Sequence, residues 1–164
     1  MAEHGSAGNL KNAQLRVIKH VGEHKHRFDE LMQLFLTAVY RINQRASGPV
    51  NHFAETRPEW IRPYLPELIS NLTENPHPSV VRNTIRMLQF VDIPAKHIGR
   101  VADLCLKYLS DPKTAIAIRV FAMTVLSNIA QKYPELKNEL RVVVEQQLPH
   151  ASPAIKSRLK RIKL

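Results

Sequence analysis

One cysteine, Cys105, in 164 residues leaves no partner for an intrachain disulfide and too few thiolates for a cysteine-rich zinc site. The apolar residues Val101, Leu104 and Tyr108 share its helix face, so the thiol is expected to fill core. No apolar run reaches the length of about 18 residues that a bilayer-spanning helix needs. The opening Met-Ala-Glu-His-Gly-Ser-Ala-Gly lacks the charged-then-apolar layout of a secretory leader. A cytoplasmic protein without a membrane partner is therefore expected. Glycine is scarce, at five residues, and no glycine-rich phosphate loop, serine nucleophile elbow or Cys-His pair is present. These absences point to a chain with no cofactor, no small-molecule substrate and no catalytic centre. Acids are outnumbered, 14 against 24 lysines and arginines, for a formal net charge of +10 and an isoelectric point near 10.1. Such a field attracts phosphates, anionic head groups or acidic proteins without choosing among them.

What is present is a globular balance, with 44% hydrophobic and 23% charged residues, in a length that suits one compact unit. That unit repeats. Arg45, Arg82, Arg119 and Lys156 lie thirty-seven residues apart, and the last three open on matching stretches: Ser79-Val80-Val81-Arg82, Ile116-Ala117-Ile118-Arg119 and Pro153-Ala154-Ile155-Lys156. Three and six residues later come Ile85 and Leu88, Ala122 and Val125, Leu159 and Ile162, one helix face in three copies. A helical unit of this size cannot bury its own apolar face, so the copies must stack into a shared core. Ala54-Glu55-Thr56-Arg57-Pro58-Glu59 also matches Ala130-Gln131-Lys132-Tyr133-Pro134-Glu135, seventy-six residues on. Aligned from that marker, Asn43 rather than Arg45 falls opposite Arg119, and the register of the first copy stays open between the two.

Periodicity and breakers divide the chain further. Residues 1–8 read as a flexible tail and 9–164 as one repeat domain. Leu10, Ala13, Val17 and Val21 have helical spacing after Asn9, a candidate cap, with Gly22 as terminator. Phe28, Leu31, Met32, Phe35 and Leu36 mark the next helix, and a further one spans 38–55, where Gly48-Pro49 predicts a kink. Helices follow at 59–72, interrupted near Pro63, then at 80–91 with Ser79 as cap, 96–109, 113–132, 135–148 and 153–163.

The turn Leu109-Ser110-Asp111-Pro112 followed by Ile118-Arg119 and Ala122 resembles the HEAT-repeat family, whose units are two antiparallel helices with Asp in the turn and Val-Arg opening the second helix. Leu72 with Asn75-Pro76 and Val81-Arg82 is a second copy with Asn for Asp; the fourth has His150 in the turn and Lys156 for Arg. The resemblance implies an all-α fold, a right-handed α-α superhelix of about four HEAT-like helix pairs plus an N-terminal helix, with repeats at about 25–57, 58–95, 96–133 and 134–164. It further implies a non-catalytic scaffold that binds a protein through a curved surface lined by the second helices. Arg41, Arg45, Asn83, Arg86, Asn128, Arg158 and Arg161 are the candidate partner contacts. In HEAT arrays the basic ladder commonly bonds turn acids and helix ends inside the stack, and Arg82, Arg119 and Lys156 are assigned that structural role.

The charge supports a rival, nucleic-acid binding, which requires lysine and arginine to gather on the second-helix face; the C-terminal run from Lys156 to Leu164 holds five cations and no acid. Some HEAT-like proteins excise alkylated DNA bases with aromatic residues and an essential acid. Here only Asp29, beside Phe28, has an acid next to a ring cluster, and excision is not expected. His20-Val21-Gly22-Glu23-His24 fits an inverted zinc-peptidase order, which needs two imidazoles one helical turn apart on the metal. Gly22 weakens the helix that would hold them, so no metal site is expected.

Overall fold

The computed structural model describes residues 4–37, 39–74 and 76–162. Among them the chain forms ten α-helices and no strand: α1 His4–Val21, α2 Lys25–Leu36, α3 Tyr40–Thr56, α4 Pro58–Ile61, α5 Leu65–Thr73, α6 Pro78–Leu88, α7 Ala95–Ser110, α8 Ile116–Lys132, α9 Glu135–Gln147 and α10 Pro153–Leu159. Short 3₁₀ turns at Arg62–Tyr64 and Leu148–His150 link α4 to α5 and close α9.

Helices pair as α2 with α3, α4–α5 with α6, and α7 with α8, while α9 and α10 both pack on α8. The second members pack side by side in the order α3, α6, α8, α10, while the first members α2, α5, α7 and α9 form the facing layer. The all-α solenoid architecture expected from the repeat is present. α1 packs against both α3 and α2, and has no helix pair of its own.

Each interface follows from its apolar stripe. Phe28, Met32 and Phe35 of α2, Leu65 and Leu68 of α5, Ile85 and Leu88 of α6, and Leu109 of α7 are all buried. Each such side chain contributes roughly 1.5–3 kcal/mol on burial. α8 is apolar on more than one face, with Ile118, Val120, Met123, Val125, Leu126 and Ile129 all buried. It sits between α6 and α10 and against α7 and α9, which leaves it one narrow face for solvent.

Prolines set the helix starts. Pro58, Pro78 and Pro153 stand at the first position of α4, α6 and α10, where the missing N–H was unpaired in any case. The cap of α6 is His77 rather than Ser79: its Nδ1 accepts from the Ser79 N–H at 3.2 Å, one residue pair upstream of the expected start. Ser152 caps α10 by accepting from the Ile155 N–H at 3.4 Å. α1 begins at His4, upstream of Asn9, and ends where Gly22 turns left-handed at φ 52°.

α3 continues through Gly48-Pro49, the point at which a kink is expected. Pro49 is buried, and Asn51 Nδ2 donates to the Ser47 carbonyl at 2.8 Å, adding a donor one turn beside the one proline lacks. Gly48 admits α1: a Cβ there would lie 2.4 Å from Gln14 Cδ.

Candidate functional site

Side-chain donors tie each unit to the next at the carbonyl ends of the first helices. Asn71 Nδ2 donates to Leu36 O at 3.2 Å, Tyr108 Oη to Leu72 O at 3.4 Å, and Gln147 Nε2 to Leu109 O at 2.6 Å. These carbonyls belong to last turns, which lack an intrahelical partner. The donors follow the repeat spacing while differing in type, so a search for identical residues passes over them. Their shared feature is a long polar side chain near the end of each first helix.

Arg119 joins this network from α8. Its Nε donates to Leu109 O at 3.3 Å and its other nitrogen to Gln147 Oε1, and the side chain is half-buried. Asn43 does the equivalent from α3: it is fully buried and donates to Phe35 O, in the last turn of α2, at 2.9 Å. The first copy therefore follows the seventy-six-residue register, with Asn43 opposite Arg119 and Arg45 exposed. Arg82 and Lys156 are exposed, and their side chains make no hydrogen bond among the described residues.

Asn83, expected as a partner contact, is withdrawn from that set. It is 5% exposed and donates to Asn43 Oδ1 at 2.9 Å, because its face of α6 is covered by α3. Asn128 is exposed yet engaged, donating to Gln89 O at 2.9 Å.

The histidine motif is split between elements. His20 lies in the last turn of α1, His24 caps α2, and both are exposed. Glu23 pairs with Arg57 instead. No cluster of three metal-ligating side chains occurs among the described residues.

Asp29 sits beside an aromatic group, but a closed one. Phe28 and Phe53 meet edge-on at 5.5 Å and Phe53 stacks on Trp60 at 5.6 Å, with both phenylalanines buried and thus closed to a flipped base. Burial pushes the Asp29 carboxyl up, and the hydrogen bonds from Lys25 and Tyr64 outweigh it, holding it below the usual carboxylate range. That is an ionised anchor between α2 and the turn before α5. Cys105 is wholly buried, and desolvation pushes its thiol up to about 12, away from nucleophilic use.

Charge divides sharply between the layers. The helices α3, α6, α8 and α10 carry eight lysines and arginines and a single acid, Glu55. The first helices α2, α4, α5, α7 and α9 carry seven cations and eight acids. α1 adds Lys11, Arg16 and Lys19 with no acid. Since α6 is flanked by α3 and α8 and backed by α5, its exposed stripe must face away from the first-helix layer. That stripe carries Arg82, half-buried Arg86 and Gln89. Arg41 and Arg45 stand exposed on α3, and Arg161 just beyond α10; Arg158 donates to Thr124 Oγ1 at 3.1 Å and so leans over α8.

Stacked helix pairs with a self-bonded interior and one cation-rich outer layer define an all-α repeat scaffold. The chain matches the family model of a HEAT repeat domain over residues 7–164 and belongs to the HEAT-repeat family. No curated protein and no solved structure matches it. No described helix is long and apolar enough to cross a membrane.

Proposed function

We propose that this chain is a non-catalytic docking scaffold whose working surface is the outward stripe of its second helices. The observation that carries the reading is the charge division between the layers: one acid against eight cations on one side, near balance on the other. Solubility gives no reason for acids to be kept off one layer, whereas docking an anion there does. The interior polar groups that might have served chemistry, Arg119, Asn43, Asn83 and Gln147, are occupied in holding the stack. The occupant is anionic, either an acidic protein surface, as the family resemblance implies, or a nucleic acid, as the gathering of arginines on this face favours.

Capture from native lysate tests the surface. Wild type is compared with Arg82→Glu/Arg86→Glu on α6 and with Arg100→Glu/Lys107→Glu on α7, in parallel samples with and without nuclease. The α6 variant should lose what the wild type captures and the α7 variant should keep it. Equal retention by both variants, or equal loss, removes the second-helix layer as the working face.

A further inference from the structure

Resting on the scaffold reading above, we infer that the second-helix stripe binds the phosphate backbone of nucleic acid without reading its bases. Two arginine pairs, one on α3 and one on α6, carry its charge. The Asn43–Asn83 hydrogen bond of 2.9 Å locks α3 and α6 side by side at one height. Arg41 and Arg45, two residues either side of buried Asn43, stand together on the opposite, exposed side of α3, while Arg82 and Arg86 stand one turn apart on the exposed stripe of α6. Residues four apart on a helix are about 6 Å apart, so each helix presents a pair of guanidinium stems at that spacing. Arg158 carries the row onward by reaching across to Thr124 of α8, whose own Arg119 is turned inward to Leu109 O.

A duplex presents one negative charge per roughly 1.7 Å of its axis, so pairs at that spacing meet several phosphates at once. Guanidinium groups suit that contact, since their planar fork takes two phosphate oxygens together.

The same stripe is poorly built for protein docking. Protein interfaces draw their affinity from aromatic or aliphatic anchors near the centre. Here the centre offers Gln89, Thr124 and Asn128 beside the arginines, and Phe121, the large apolar side chain of α8 on that side, is packed against the core. The exposed apolar residues of this layer stand towards the helix ends, Val39, Tyr40, Ile42 and Ile116 at helix starts and Phe90 just past α6. Backbone binding needs cations and polar donors alone, and those are what the stripe has.

Fluorescence anisotropy on a labelled duplex of about 20 base pairs, of arbitrary sequence, tests this between about 50 and about 300 mM salt. The logarithm of affinity should fall against that of salt with a slope of about −4, for four to five phosphates contacted. Arg82→Glu/Arg86→Glu should weaken binding at least about tenfold and flatten the slope by about 2, with Arg100→Glu/Lys107→Glu unchanged within about twofold. Thermal melting by circular dichroism verifies that each variant is folded, and Arg82→Gln/Arg86→Gln replaces the charge reversal should it be unfolded. Absence of binding at low salt, equal weakening by the α7 variant, or a labelled polyglutamate peptide bound as tightly as the duplex would each overturn the inference. A nuclease-resistant protein partner lost with the α6 variant, in a chain that ignores DNA, would sink this proposal and leave the scaffold reading standing.

Discussion

Replacing Asn43 by alanine should be among the most damaging single changes available, although the residue is small, polar and far from any catalytic constellation. Its side chain donates to Phe35 O at 2.9 Å and accepts from Asn83 Nδ2 at 2.9 Å, at positions 0% and 5% exposed. Asn43→Ala strands both of those partners in the interior. A buried polar group left unpaired costs about 1–3 kcal/mol, so the loss should be about 4 kcal/mol. Asn83→Ala strands only Asn43 Oδ1 and should cost about 2 kcal/mol. The double variant leaves only Phe35 O without its partner and should cost no more than Asn43→Ala alone, which is a coupling of at least about 2 kcal/mol. Urea unfolding followed by helical circular dichroism measures all four proteins, and unchanged slopes against urea certify that the unfolding unit is the same. A cost below about 1 kcal/mol for Asn43→Ala, or single effects that add within about 0.5 kcal/mol, would refute a shared buried bond.

Other consequences follow from the packing. Gly22→Ala should lower stability by about 1–2 kcal/mol, since φ 52° strains any Cβ while the space around it is open, with only Lys19 O at 3.5 Å; a loss below about 0.3 kcal/mol by thermal melting would contradict this. Cys105 should resist an exposed-thiol reagent in the native protein and react once unfolded. Its thiol ionises near 9 when unfolded and near 12 when folded, so its contribution is complete below pH 9 and is lost as pH rises towards 12, at up to about 1.4 kcal/mol per unit. The stability difference between wild type and Cys105→Ala should narrow across that range, and a constant difference would show that the thiol is not desolvated.

Much of the architecture was legible because repetition and helical spacing are local properties. The thirty-seven-residue interval, the proline-marked turns and the stripes such as Phe28, Leu31, Met32 and Phe35 fix where helices lie and which faces are apolar. Gly48-Pro49 does not end α3, because a proline's local cost says nothing of the packing around it. Pro49 is buried in α3, Asn51 donates to Ser47 O nearby, and Gln14 of α1 fills the space over Gly48.

The polar positions separate the two sources most clearly. Sequence alone determined that the chain is a helical array with a large cation excess, since both follow from composition and period. It could not sort Asn83 from Arg82, neighbours on one helix, into an interior bond and an exposed charge, nor decide whether Asn43 or Arg45 opens the first copy. Facing on a helix turns by about 100° per residue, so a shift of one or two positions moves a side chain from core to solvent. Only the stacked neighbours fix that angle. The same stacking placed most of the helical acids on the first-helix layer and left exposed arginines on the other, the surface proposed for docking.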